Sequence, residues 1–316
     1  MLGFLAVSGL ALALAQSPDS TPAISRATFE SWFDAASSGG LDVPPRVVGN
    51  ALRYQYVFIS GLRMGSMQGY LVQNTKELRA SGVPREAIHL IEPSSHKTVA
   101  ENARQLREEM REIAAHSRGA CDALAFALQN PKFVAGRVHA LFLIQGPFGG
   151  SGVADYVAGE GPEMDGLMPA AYRVIGKTAG KLESVLVRKS KRNVISSLSR
   201  ETSNRFWNHL LDSHPESIDV VSPKTFYITS QTKTRRHPLL QQATASYLET
   251  YYGPNDGMVS LDDQCLPDLG TVVAELDAGH TDLTHKFPSA RPKGKRRKAV
   301  VNASFMAAGA LPRTCQ

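Results

Sequence analysis

The chain has 316 residues, 42% of them hydrophobic and 20% charged, with a formal net charge of +6. That composition excludes a disordered or coiled-coil chain, and the length suffices for one large α/β domain with a sizeable core or for two small ones. The three cysteines, Cys121, Cys265 and Cys315, show neither a C-x-x-C nor a Cys/His spacing that suggests structural zinc. One disulfide can form in an oxidising compartment, and Cys265–Cys315 is the expected pair because Cys121 falls on a presumed buried helix.

Residues 1–15 are almost entirely apolar and end in Ala13-Leu14-Ala15, the small-x-small pattern of a signal-peptidase site. The stretch is short for a bilayer span and fits an export signal, although no Lys or Arg precedes the apolar run. The expected product is a secreted or periplasmic chain, residues 16–316, forming a single domain. A short helix is expected around 27–36, then a strand over 54–60 that breaks at Gly61. A helix over 69–81 follows, with Leu71, Val72, Thr75 and Leu78 on one face. The stretch 87–91 reads as a second strand. The spacing of Val99, Ala103, Leu106, Met110 and Ile113 then predicts a helix over about 98–114.

Next comes Ala115-His116-Ser117-Arg118-Gly119, a near match to G-x-S-x-G with alanine at the first glycine. In that pattern a serine sits on a sharp strand-to-helix turn, and the amides of the following helix point towards developing negative charge. The helix itself is expected from about Gly119 to Leu128, followed by a strong strand over 138–144. Residues 146–152 form a glycine-rich loop, and 151–222 reads as a mixed, helical and basic excursion inserted between two sheet strands. A strand over 225–229, a helix over 238–251, the turn Asn255-Asp256-Gly257 and a strand over 271–276 complete the order, ending at Gly279-His280. Apolar strands alternating with helices imply a mainly parallel central sheet flanked by helices.

Nucleophilic attack by serine needs a base to take the hydroxyl proton and a carboxylate to orient that base. Ser117, His280 and Asp256 supply those residue types in the chain order Ser, Asp, His. Asp262 and Asp263 are rival acids, and Asp256 is preferred for its turn context. With Asp256 they also crowd one loop with hard oxygen ligands of the kind calcium takes, but acidic loop residues are commonly just solvated, so no metal is assigned. Gly61-Leu62 follows an early strand, so the amides of Leu62 and Arg118 are the candidate oxyanion donors. Gly61 and Gly65 do not fit a dinucleotide or phosphate-loop spacing.

On Gly61-Leu62, His116-Ser117-Arg118-Gly119, Asn255-Asp256-Gly257-Met258-Val259-Ser260 and Gly279-His280-Thr281-Asp282, the chain resembles the α/β-hydrolase superfamily. The serine lipases and esterases, bacterial triacylglycerol lipases among them, are the nearest type. The resemblance implies an α/β-hydrolase fold with a helical cap at about 151–222, covering an acyl pocket. It also implies a serine hydrolase acting on a small-molecule or lipid ester without any cofactor. One departure stands out. The strand that should precede the nucleophile is truncated or missing, because Arg111–His116 reads as the end of a helix and Ile113-Ala114-Ala115 is at best a strand stub. A lost strand would favour a non-catalytic member that binds an envelope ligand or partner through its basic surface. The basic runs 188–192 and 293–298 are expected at the surface and suit an anionic membrane; with no aromatics interleaved, nucleic acid is not expected.

Overall fold

A computed structural model describes residues 24–61, 71–94, 97–106, 113–162, 194–237, 239–284 and 293–311. The expected export signal, Leu62, the basic run 188–192 and Cys315 lie outside the described residues.

Among the described residues six strands form one parallel sheet: β1 (Tyr56–Ile59), β2 (Ile88–Ile91), β3 (Ile113–His116), β4 (Leu141–Ile144), β5 (Thr225–Gln231) and β6 (Thr271–Asp277), in the order β2-β1-β3-β4-β5-β6. Parallel strands need helical crossovers, and these cover both faces. Strand alternation divides the core accordingly. Phe58, Phe142, Ile144, Phe226 and Ile228 face α1 (Arg26–Ser38), α2 (Pro45–Ala51), α3 (Val72–Ala80) and the C-terminal helix, while Val57, Ile59, Leu141, Leu143 and Tyr227 face the opposite layer. That second layer is α4 (Val99–Leu106), α5 (Arg118–Gln129), α6 (Pro131–Arg137) and the helices between β4 and β5.

Between β4 and β5 the described residues are helical and lie outside the sheet. The described parts of this excursion are α7 (Gly152–Ala158), α8 (Arg200–Ser213) and α9 (Pro215–Val221). Serine side chains start two of them: Ser151 accepts from the Val153 amide and Ser199 from the Thr202 amide, meeting donors that a helix start leaves unpaired. After β5, α10 (Leu239–Tyr251) leads to the Asn255-Asp256-Gly257 turn, and α11 (Lys293–Ala310) closes the described chain.

The structure corrects three expectations. The helix before the serine motif is described as far as Leu106, and Ile113 and Ala114, expected at its end, belong to β3 instead. The strand before the serine is therefore present. At four residues it is short, but β1, β2 and β4 are no longer, and it pairs with β1 on one side and β4 on the other. On α3, Val72 is exposed and Asn74 takes its place on the buried face between Leu71 and Leu78, donating to the Leu283 carbonyl at 3.0 Å. The run 293–298 is not simply solvated surface. It opens α11, where Arg297 is buried while Lys295 and Lys298 are exposed, as a helical period requires of a helix lying on the sheet.

The strand order reverses between β1 and β3, so the chain leaves these neighbours in opposite directions and a crevice opens at their carboxyl ends. Ser117 directly follows β3 at that point. Gly119 lets the elbow helix approach β1: a Cβ there would stand 2.5 Å from the Ser60 carbonyl oxygen and 2.8 Å from that of Ile59. Gly→Ala inside a helix ordinarily stabilises by up to about 1 kcal/mol. At Gly119 the sign should reverse, and Gly119→Ala should destabilise by about 1–3 kcal/mol through overpacking. Thermal unfolding checks this, and a melting temperature equal to or above wild type would refute it.

Candidate active site

Ser117 is built into a strained turn. Its φ of 56° and ψ of −135° are rare for a residue with a Cβ, and conformations of this kind cost on the order of 1–3 kcal/mol. Two backbone bonds hold it there. Its N–H donates to the Ile144 carbonyl at 2.9 Å, extending the β3–β4 ladder, and its carbonyl accepts from the Ala120 amide at 2.9 Å, opening α5. The hydroxyl is thereby lifted above the sheet edge.

Asp256 is fixed by its turn. The Asn255 side chain accepts from the Gly257 amide at 2.9 Å, and Gly257, at φ 97°, supplies a conformation that a side chain would resist. Asp256 Oδ1 accepts from the Met258 and Val259 amides, both at 2.9 Å, and leaves Oδ2 for His280. His280 follows β6, and its own amide donates to the Asp256 carbonyl at 2.7 Å. The structure brings the three side chains into one line: His280 Nδ1 lies 2.8 Å from Asp256 Oδ2, and His280 Nε2 lies 2.9 Å from Ser117 Oγ. Asp256 is fully buried. An ionised carboxylate only accepts, so Nδ1 carries the imidazole proton and Nε2 turns its lone pair to the serine hydroxyl. That arrangement can remove a proton from Ser117 as its oxygen attacks an electrophile.

Neither rival acid takes the place of Asp256 at His280 Nδ1. Asp263 meets Arg200 at 3.2 Å, and burial pushes its carboxyl up to about 6; Asp262 is exposed. Among the described residues no group of three His, Cys, Asp or Glu side chains is placed to hold a metal ion. Of the two candidate oxyanion donors, Leu62 lies outside the described residues. Arg118 is the first residue of α5, where amides lack intrahelical acceptors.

The Arg118 side chain turns inward. It is fully buried, donates to the Ser94 carbonyl at 2.6 Å and the Lys97 carbonyl at 3.1 Å, and sits 3.5 Å from Asp122, which also accepts from Asn102 at 3.0 Å. Burial dominates at Asp122 and pushes its carboxyl from 3.8 up to about 7 against the attraction of Arg118. Between about pH 4 and pH 7 the folded chain therefore holds a proton that the unfolded chain has lost, and this group's contribution to stability falls as pH rises through that window. Asp122→Asn should remove the slope: its melting temperature should gain on wild type from pH 4 to 7 and keep a constant offset above. Parallel melting curves across that window would overturn the assignment.

Sequence reasoning missed the polar residues behind the histidine. His116, Gln145 and Ser230 are fully buried at the carboxyl ends of β3, β4 and β5. The available signal was a polar residue closing an apolar parallel strand, as Gln145 closes Leu141–Ile144, because those ends line the ligand crevice of an open α/β sheet.

No family model and no curated protein matches the sequence. Solved structures do match the fold. The metagenomic carboxyl esterase MGS0156 superposes with a TM-score of 0.56 at 18% identity, over 85% of this chain and 77% of that one. The mature lipase BlEst2 of Bacillus licheniformis superposes with a TM-score of 0.51 at 19% identity, over 72% of this chain and 84% of its own. The chain has an α/β-hydrolase fold. In an α/β-hydrolase, the serine turn at the end of a central strand, the acid loop and the histidine loop meet at one sheet edge, which is where Ser117, Asp256 and His280 stand.

Proposed function

We propose that this chain is an exported serine hydrolase that cleaves carboxylic esters, with lipid or other hydrophobic esters as its substrates. The observation that carries the reading is the unbroken Ser117–His280–Asp256 hydrogen-bond line at 2.9 and 2.8 Å, standing on a positive-φ turn. A strained serine aligned with a buried imidazole–carboxylate pair is a costly arrangement with no packing benefit of its own.

In this mechanism Ser117 Oγ attacks the ester carbonyl carbon while its proton passes to His280 Nε2. Asp256 holds the resulting imidazolium through Nδ1–H. The oxyanion is held by the amides of Arg118 and Leu62. Collapse breaks the bond to the alkoxy oxygen, which leaves as an alcohol with the proton from Nε2. A water molecule, deprotonated by the same nitrogen, then attacks the acyl-serine and releases the acid.

Support for an ester substrate comes from the two structural neighbours, a carboxyl esterase and a lipase. The excursion over 151–222 is assigned the role of covering the acyl chain, as the resemblance implies. Export rests on the apolar residues 1–15, and the basic runs suit an anionic membrane surface. No helix among the described residues is long and apolar enough to cross a membrane.

The experiment is hydrolysis of p-nitrophenyl esters of increasing acyl length, run beside fluorophosphonate labelling, for wild type and Ser117→Ala. Turnover and labelling in wild type, both lost in the variant, with longer chains preferred, is the expected result. A folded wild-type protein that neither turns over nor labels would make it a binding protein on a hydrolase fold.

A further inference from the structure

His280 is held by more than its acid. Gln145, fully buried at the end of β4, donates through Nε2 to Ser230 Oγ at 2.5 Å and to the Gly279 carbonyl at 3.2 Å. A carbonyl oxygen only accepts, so the amide orientation is fixed and Oε1 faces His116. His116 Nε2 lies 3.0 Å from Gln145 Oε1 and 3.0 Å from the His280 carbonyl. Two acceptors at one nitrogen mean that Nε2 carries the proton and shares it between them. The carbonyls on both sides of the His280 Cα are thus gripped by side chains from β3 and β4. The grip has its own foundation. Gln145 takes a φ of 51°, with its amide on the Ile228 carbonyl at 2.9 Å, and the Ser230 backbone is clasped on both sides by the Gln264 side chain at 2.8 Å. On the far side, the Gly279 amide donates to Asp282 Oδ2 at 3.1 Å.

We infer that Gln145, acting with His116, is a positioning residue that sets the reach of His280 to Ser117. The inference rests on the serine-hydrolase reading above. Burying an amide and an imidazole is unfavourable unless their polar atoms are bonded, and here the bonds go to the histidine loop rather than to bulk packing. Loosening that loop lets the imidazole drift, and a displacement of about 1 Å costs on the order of a hundredfold in rate.

The test uses the full chain and reads the second-order rate of fluorophosphonate labelling against pH, the melting temperature, and the downfield proton resonance of the His280–Asp256 bond. Gln145→Ala should lower the labelling rate per folded molecule by about 10- to 100-fold, leave KM for a p-nitrophenyl ester within about twofold, and broaden the downfield resonance. Gln145→Glu keeps the volume but sets a carboxylate oxygen against the Gly279 carbonyl, so it should behave in the same way, and it carries the test if the alanine variant does not fold. Ser217→Ala is the control. It removes a buried bond to the Leu128 carbonyl far from the site and should lower the melting temperature without changing the labelling rate. Variants of Gln145 that fold and label at the wild-type rate with an unchanged pH midpoint would overturn the positioning role alone. A wild-type protein that does not label would overturn the serine-hydrolase reading and this role with it.

Discussion

Ser117→Gly is expected to abolish ester turnover and, at the same time, to melt at a higher temperature than Ser117→Ala. Both variants lack the hydroxyl, so both should fall by on the order of 10⁴-fold or more in kcat. They differ in the backbone. Ser117 sits at φ 56° and ψ −135°, where any Cβ is crowded, and alanine keeps that crowding whereas glycine does not. Strain of about 1–3 kcal/mol is relieved. Against this stands the larger entropy that glycine loses on folding, about 0.5–1 kcal/mol. A net gain of about 1 kcal/mol corresponds to roughly 2 °C in a chain of this size. Differential scanning fluorimetry of the three proteins decides the matter. A glycine variant no more stable than the alanine variant would mean that the elbow stores no strain, and the turn would then be an ordinary one.

The parts of this fold that were legible in the sequence are those whose local pattern and tertiary role agree. Leu141–Ile144 is buried at every position, as a strand covered on both faces must be, and it reads as a strand without help from anything distant. The acid turn is equally local, since Asn255-Asp256-Gly257 encodes its own geometry through the Asn255 side chain and the positive φ of Gly257. β3 is the opposite case. Ile113 continues the helical spacing of Val99, Ala103, Leu106 and Met110, and the alanines that follow favour no strand. What makes this stretch a strand is the pairing with β1 and β4, on which the sequence near Ser117 is silent. α11 misled for a related reason. Its basic opening reads as solvated surface, and only the docking of the following Ala- and Val-rich turns explains why Arg297 is carried inward. The grip on His280 was hidden more deeply, because His116, Gln145 and Ser230 lie at the ends of three strands and meet only once the order β3-β4-β5 is known.

Asp256→Asn should be as damaging as Asp256→Ala, although it is nearly isosteric and should leave the fold intact. The reason lies in which oxygen does what. Oδ1 accepts from the Met258 and Val259 amides, so an asparagine must place its carbonyl oxygen there to satisfy both donors. Its NH₂ group then occupies the position of Oδ2, 2.8 Å from His280 Nδ1, where it can only donate. The neutral imidazole is forced to present a lone pair at Nδ1 and carry its proton on Nε2, facing Ser117. In that tautomer His280 cannot accept the serine proton, and loss of about 10⁴-fold in kcat is expected. Melting should stay near wild type, because the turn keeps its two amide bonds. An Asp256→Asn variant within about tenfold of wild type would show that Asp256 does not set the tautomer of His280. Restoring Oδ1 alone is therefore not enough: the carboxylate is required for the second oxygen, which selects the form of the base.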